Sequence, residues 1–346
     1  MIRKPLILTA ALCSTIAVSS TVTAQEVTEI DLIMPTPRSN LFYPLVVGEA
    51  LGYFKDEGVK VNLLPSATTV PYVSFLSNGN ADIAMLDGPQ TYQAVDAGTT
   101  LKVIYEAQQT APEGVVTSDN LDVNGIEDLV GTTVGLVTDR DRATLAMTLN
   151  HVGHSLDDVD MVVLGDGGPT LANALKKEQV TAIAGALPDW IALQANGLTL
   201  LDITPKEMAE TPANSFVVLE DKIEEMGDLY EGFLRAWSKG AYVTSVDEEV
   251  IASMMAEAVP EEWQNPEFGQ NYLDGAMPLN YPVTERFGEL RPDSWEKVQA
   301  EMIRVDELSE NHDVSSFLEP RFITAANDFD KGKVENDVAE WRKNNM

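Results

Sequence analysis

The chain is poor in cysteine, histidine and basic residues, and each shortage removes a class of chemistry. Its one cysteine, Cys13, lies among the first 24 residues. That stretch carries Arg3 and Lys4, then an apolar run from 5 to 18, then Val22, Thr23 and Ala24, small residues of the kind a signal peptidase cuts after. It reads as a cleaved secretory signal, because the apolar run falls short of the roughly 20 residues a membrane-spanning helix needs. Leu12 directly before Cys13 argues against a lipoprotein anchor, whose signal wants a small residue there. The expectation is a soluble, exported, periplasmic protein without cysteine, which excludes disulfides, thiolate metal sites and a cysteine nucleophile together.

Basic residues number 23 against 55 acidic ones, a formal charge of −32 that becomes more negative once Arg3 and Lys4 leave. Nucleic acids and anionic membranes recruit basic patches, so neither is an expected partner. Solubility in a salty medium accounts for such acidity and says little about a ligand. Only three histidines occur, His151, His154 and His312. The first two have i, i+3 spacing, but "NHVGHSLDDVD" reads as a helix end, where an exposed histidine is favoured by the dipole, so no metal is expected. Catalytic signatures are missing as well: "GDGGPT" has Thr170 where a dinucleotide fingerprint wants a third glycine, and it lacks the lysine of a phosphate-binding loop. No G-x-S-x-G elbow occurs. No catalytic residue and no cofactor are expected.

What the chain does have is alternation. Short apolar runs, "IDLIM", "VKVNLLP", "ADIAML" and "LKVIYEA", are separated by amphipathic segments, the pattern of an α/β fold with mostly parallel strands. "SNLFYPLVVGEALGYF" predicts one helix capped by Ser39 or Asn40, with Pro44 in its first turn and Gly52 at its end. A second unit follows, with strands "GTTVGLV", "DMVVLG", "TAIAGA" and "LTLLDI". After the strand "SFVVL" the chain turns helical. Ile223, Met226, Leu229 or Tyr230, Phe233 and Trp237 share one face, as do Trp295, Val298, Met302 and Val305, and both stripes read as core packing.

The stretches "GEALGYFKDEGVKVNLLPSA", "FLSNGNADIAMLDG", "LKVIYEA", "DLVGTTVGLV" and "GGPTLANALKKEQVTAIAGALPDWIALQANG" together resemble type II periplasmic solute-binding proteins. The nearest branch serves ABC importers of nitrate, sulfonates, taurine, bicarbonate and pyrimidine precursors, including thiamine-precursor-like proteins. The resemblance implies two α/β lobes joined by two crossover segments, near 110–116 and 209–216, which close on one small solute. Lobe I would comprise 25–112 plus 214–346, and lobe II 113–213. It also implies a permease in the inner membrane as partner and a monomeric binding protein. Two other readings stay open: a ligand-sensing partner of a membrane receptor, and an enzyme related to pyrimidine-precursor synthesis, whose His-centred site and cysteine-rich motif this chain lacks.

In open α/β sheets, ligands bind beyond the carboxyl ends of the strands, where helix N-termini offer unpaired N–H groups. That rule selects loops 37–40, 66–69, 87–90 and 108–110 in the first unit, and 138–142, 166–168 and 187–190 in the second. The expected ligand contacts are Arg38, Ser39, Asn40, Tyr43, Thr68, Asp87, Gly88 and Gln109, then Thr138, Asp139, Arg140, Arg142, Gly167, Asp189 and Trp190. The loop "TDRDR" stands where sulfonate-binding relatives usually carry Gly-Ser, which argues against a bare sulfonate or nitrate. One of Arg140 and Arg142 is expected to face the cleft and the other solvent, with Asp139 or Asp141 capping the helix. Arg38 and Arg140 converging on one acidic group, Asp87 and Asp189 taking an amine or ring N–H, and Trp190, Tyr43, Phe42 or Tyr92 stacking on a ring would suit a heterocyclic, zwitterionic or anionic organic solute.

Overall fold

A computed structural model describes residues 27–36, 38–65 and 72–346. Residues 1–24, which carry the signal-like pattern, and Thr68 lie outside the described residues. Ten strands form two five-stranded sheets: β1 (Thr28–Ile33), β2 (Val59–Leu63), β3 (Ile83–Leu86), β4 (Leu101–Glu106), β5 (Glu113–Ser118), β6 (Thr133–Leu136), β7 (Asp160–Val163), β8 (Ala182–Ala186), β9 (Leu200–Asp202) and β10 (Ser215–Leu219). The first sheet has the order β2-β1-β3-β10-β4 and the second β7-β6-β8-β5-β9. Helices flank both, and the expected two-lobed α/β architecture is the one observed.

The sheets are more mixed than "mostly parallel" suggests. In each, four strands run one way and one runs against them: β10 is antiparallel to β3 and β4, and β5 is antiparallel to β8 and β9. Both exceptions are the first strands after a crossover, and topology requires this. The chain leaves β4 at its carboxyl end and enters the second sheet from that same side, so β5 has to run away from it. The return from β9 into β10 repeats the argument. The sequence reading missed β5 altogether, since "EGVVTS" opens with an acid after Pro112 and falls where a crossover was expected.

Local signals hold elsewhere. The long helix predicted from 39 divides into a 3-10 turn, Asn40–Phe42, a helix, Tyr43–Ala50, and a short helical turn, Tyr53–Asp56, because Gly52 takes a left-handed conformation with φ 78° that breaks the hydrogen-bond ladder. In the long helix Ile223–Tyr242 the predicted stripe packs inward, with Tyr230, Phe233 and Trp237 fully buried. Trp295, Val298 and Met302 are buried in the helix Pro292–Arg304, while Val305 is its C-cap and only half-buried.

The two crossovers are tied to each other. Gln108 N donates to Asn214 O (2.9 Å), Ala213 N to Gln108 O (3.1 Å) and Ala111 N to Ala209 O (2.8 Å). Arg291 fastens the same region. Its Nε donates to buried Glu106 Oε2 at 2.7 Å and its Nη2 to Gln109 O at 2.8 Å. Arg291 N and Trp295 Nε1 also donate to Glu106, to its Oε1 at 2.7 and 2.9 Å.

Candidate functional site

The loops leaving the carboxyl ends of strands in the two sheets meet. Asp87 follows β3 in the first lobe, Arg140 follows β6 in the second, and Arg140 Nη2 lies 3.7 Å from Asp87 Oδ2. Nearby the lobes pack directly: Leu187 and Ile191, from the helix Leu187–Ala195 of the second lobe, join the apolar core of the first. Leu187 N donates to Pro112 O at 2.9 Å, which holds that helix start against the first crossover. Helix starts that follow strand ends of the two sheets therefore face each other around this contact.

The two arginines part company. Arg140 reaches across to Asp87, whereas Arg142 turns back on its own lobe, bonding Asp139 Oδ1 (3.0 Å) and Met161 Sδ (3.3 Å). The acids divide likewise. Asp141 accepts from Thr138 N (2.6 Å) and Oγ1 (3.0 Å), satisfying the turn, while Asp139 remains exposed. The expected convergence of Arg38 and Arg140 on one group does not form: Arg38 pairs with Glu49 at 2.7 Å on the following helix.

Several first-lobe candidates serve the architecture. Ser39 caps the turn after it and bonds the Tyr272 hydroxyl at 3.1 Å. Asn40 is fully buried, its N–H donating to Glu262 Oε2 (2.8 Å) and its Oδ1 accepting from Trp263 Nε1 (3.1 Å). Tyr43 lies in the core, its hydroxyl on Thr244, which keeps it out of the cleft. Phe42 and Tyr92 are buried too, Tyr92 donating to Trp295 O at 2.6 Å. Gln109 accepts from Val283 N (2.9 Å) and donates to Glu289 O (2.8 Å), anchoring a crossover. Gly88 begins its helix wedged against the second crossover, where a Cβ would stand 3.3 Å from Pro212 O.

The remaining candidates lie at helix starts that follow strand ends. Asp87 forms a capping box with Gln90, accepting from Gln90 N at 2.7 Å. Asp189 accepts from Ala186 N at 2.9 Å. The Trp190 ring lies over Gly185, where a Cβ would approach it to 3.3 Å, and it is half-buried in the core of its own lobe. Gly167 is exposed at the start of the helix Gly168–Lys176.

One residue that the sequence reading passed over, Glu113, changes the electrostatics. It is the first residue of β5 and stands in register with Ala186, the residue whose N–H holds Asp189. Burial pushes the Glu113 carboxyl up to about 7, and the negative charges of Asp87 and Asp141 push the same way. Asp189 is raised to about 6, first by burial and then by Asp141 and Asp166. Asp87 and Asp141 are raised by burial against the pull of their backbone donors and of Arg140. The only hint in the sequence was an acid between Pro112 and the apolar "GVV".

Carboxylates and backbone N–H groups here offer hydrogen bonds and charge. His151 faces Glu207 (3.8 Å) and His154 faces Asp158 (3.6 Å), so the two histidines look to different acids. Among the described residues no group of three or more His, Asp or Glu is placed to hold a metal ion, and no helix is long and apolar enough to cross a membrane.

Known proteins are similar to this chain in sequence or in fold. The riboflavin-binding protein RibY of Chloroflexus aurantiacus is 22% identical over 275 residues, covering 71% of this chain and 76% of its own. The periplasmic aliphatic sulphonate binding protein SsuA of Escherichia coli superposes with a TM-score of 0.67 at 14% identity, over 84% of this chain and 92% of its own. The desulfurization enzyme DszB has the same fold, with a TM-score of 0.59 at 16% identity over 86% and 98% of the two chains. Residues 39–247, more than half of the chain, match the sequence profile of a family described as NMT1/THI5 like, so this chain belongs to the NMT1/THI5-like family.

Proposed function

We propose that this protein is the extracytoplasmic solute-binding component of an ABC importer, capturing one small organic solute in the inter-lobe cleft and presenting it to a permease in the inner membrane. Residues 1–24 would take the chain to the periplasm, where it acts as a monomer without cofactor. Lobe I comprises 25–112 with 214–346, and lobe II 113–213. The observation that carries this reading is the approach of Arg140 to Asp87, since it brings together loops that leave strand ends in separate sheets. The contacts it selects are Asp87, Thr138, Arg140, Gly167, Asp189 and Trp190. Membership of the NMT1/THI5-like family and the likenesses to RibY and SsuA support it.

The likeness to DszB favours one second reading, an enzyme using the same cleft. Native mass spectrometry of freshly purified protein separates the two. The binding reading expects a mass excess of one small molecule, released on denaturation and recovered chemically unchanged after incubation with the protein. Conversion of that molecule by the purified protein would establish the enzyme instead.

A further inference from the structure

A cavity of about 460 Å³ opens on the first lobe, and none of its lining residues belongs to the second sheet or to a loop at a strand's carboxyl end. Its walls are the helical turn Tyr53–Asp56 with the following Glu57, the long helix Ile223–Tyr242, and the segment 328–337 that leads into the last helix, Lys331–Asn345. Ligand pockets commonly measure about 300 to 1,000 Å³, so the space suits a small organic molecule.

The floor is basic. Arg235 and Lys239 stand i, i+4 on the long helix and share one carboxylate: Arg235 Nη1 donates to Glu57 Oε2 at 2.5 Å and Lys239 Nζ to Glu57 Oε1 at 2.6 Å. The side chains of Arg235, Lys239 and Glu57 are 22%, 16% and 14% exposed, so two cations on one anion leave a positive charge that water screens poorly. Tyr53 lies beside them, with Lys239 Nζ 5.6 Å from its ring centre. This tyrosine lines the cavity, is 1% exposed, and has a buried hydroxyl with no hydrogen-bond partner, although buried polar groups nearly always have one. Burial, with Asp337 and Asp56 nearby, raises the hydroxyl above its ordinary value, so it keeps its proton and stays a donor.

The ion triad accounts for the packing of its own three side chains and leaves that hydroxyl unanswered. An acceptor oxygen carrying negative charge, placed between Tyr53 and Lys239, satisfies the hydroxyl and the surplus charge together. At the exposed edge the sign reverses. Asp328 and Asp330 stand there in water, while Asp337 is neutralised by Lys333 at 2.7 Å.

We propose that this cavity is a second ligand site, separate from the inter-lobe cleft, for a small zwitterion of the amino-acid class. Its carboxylate rests on Arg235, Lys239 and the Tyr53 hydroxyl, and its ammonium faces Asp328 and Asp330. The buried end sets the affinity, since charge-assisted bonds there escape solvent screening, and the exposed acids add a preference for a positive outer end.

The test titrates β-alanine, acetate and ethylammonium into the purified full chain labelled with carbon-13 at tyrosine Cζ, the Tyr53 signal being assigned by its loss in Tyr53→Phe. Expected is a saturable shift of that signal with β-alanine, a shift with severalfold weaker affinity for acetate, and none with ethylammonium. By calorimetry, β-alanine affinity should fall roughly tenfold or more in Lys239→Gln and in Tyr53→Phe, the second of which breaks no hydrogen bond of the fold. It should fall by a smaller factor in Asp328→Asn and stay unchanged in Arg140→Ala, whose side chain belongs to the other lobe. A Tyr53 signal that none of the probes moves overturns the site. Unchanged β-alanine affinity in both Tyr53→Phe and Lys239→Gln overturns it as well, by placing the binding elsewhere. Acetate binding as tightly as β-alanine, with Asp328→Asn without effect, overturns the zwitterion.

Discussion

Ring packs on ring around the first sheet, whereas the stretch 113–213, which holds most of the second sheet's lobe, has a single aromatic residue, Trp190, of the 24 in the chain. Phe216 meets Trp237 edge-on at 4.8 Å and Phe233 at 5.0 Å, and a second trio joins Tyr92, Trp295 and Phe317. The second lobe is filled by Val, Leu, Ile and Ala in two separate clusters. Its edge strand β7 leaves Val162 and Val163 exposed. A buried ring removes about 150–250 Å² from water, roughly 4 to 6 kcal/mol of transfer free energy as an upper bound. The lobe with the smaller apolar reserve is also the one that carries Glu113, Asp141 and Asp189. The comparison teaches a division of labour: one lobe is heavily packed, and the other places acids at the contact between the lobes.

The largest expected effect sharpens that contrast. Trp237→Ala should cost about 3 to 5 kcal/mol and Leu149→Ala about 2 to 4 kcal/mol. Urea unfolding followed by Trp190 fluorescence against far-UV signal should show the second lobe responding to Leu149→Ala alone; one coincident transition in both variants would show that the lobes unfold as a unit.

A smaller effect concerns the acids. The Glu113 carboxyl has an ordinary value of 4.5 and is raised to about 7 in the folded protein, so the native state binds the extra proton between those values. Stability without ligand is therefore lost as pH rises from 4.5 to about 7, and the full cost persists above that range. Glu113→Gln should then be more stable than wild type by about 1 to 2 kcal/mol above neutrality, allowing for solvent screening, and equal to it in acid. Thermal unfolding across that pH range checks this, and identical pH profiles would show that Glu113 is better solvated than the structure indicates.

The smallest effects belong to the two arginines once expected to act together. Arg140 is half-exposed, and Arg140→Ala should change global stability by less than about 1 kcal/mol while opening the lobes. Arg38→Ala should leave lobe separation unchanged, since its partner Glu49 belongs to the same lobe. Small-angle scattering on both variants makes the comparison, and equal expansion in the two would remove the Arg140–Asp87 contact as a latch.

Much of this fold was legible in the residues. Apolar runs a few residues long marked nine of the ten strands, and glycines such as Gly52 and Gly79 marked where helices close. The exception, β5, carries no strong local pattern, because its pairing is decided by β8 and β9 rather than by its own composition. The loops that follow strand ends were equally legible. Which side chains those loops turn inward was not. Arg140 and Arg142 stand two apart in one turn, and the positions of Asp87 in the other lobe and Met161 in the neighbouring strand separate their directions.

By itself the sequence determined two α/β units in series, the loops at which they meet, and an excess of acid. Those follow from periodicity and turn chemistry, which act over a few residues. The tertiary structure alone decided which acids lose their water and face one another, Asp87 from one lobe with Glu113, Asp141 and Asp189 from the other. Charge interaction and desolvation depend on distance and solvent access between residues up to a hundred positions apart, and no local pattern records either.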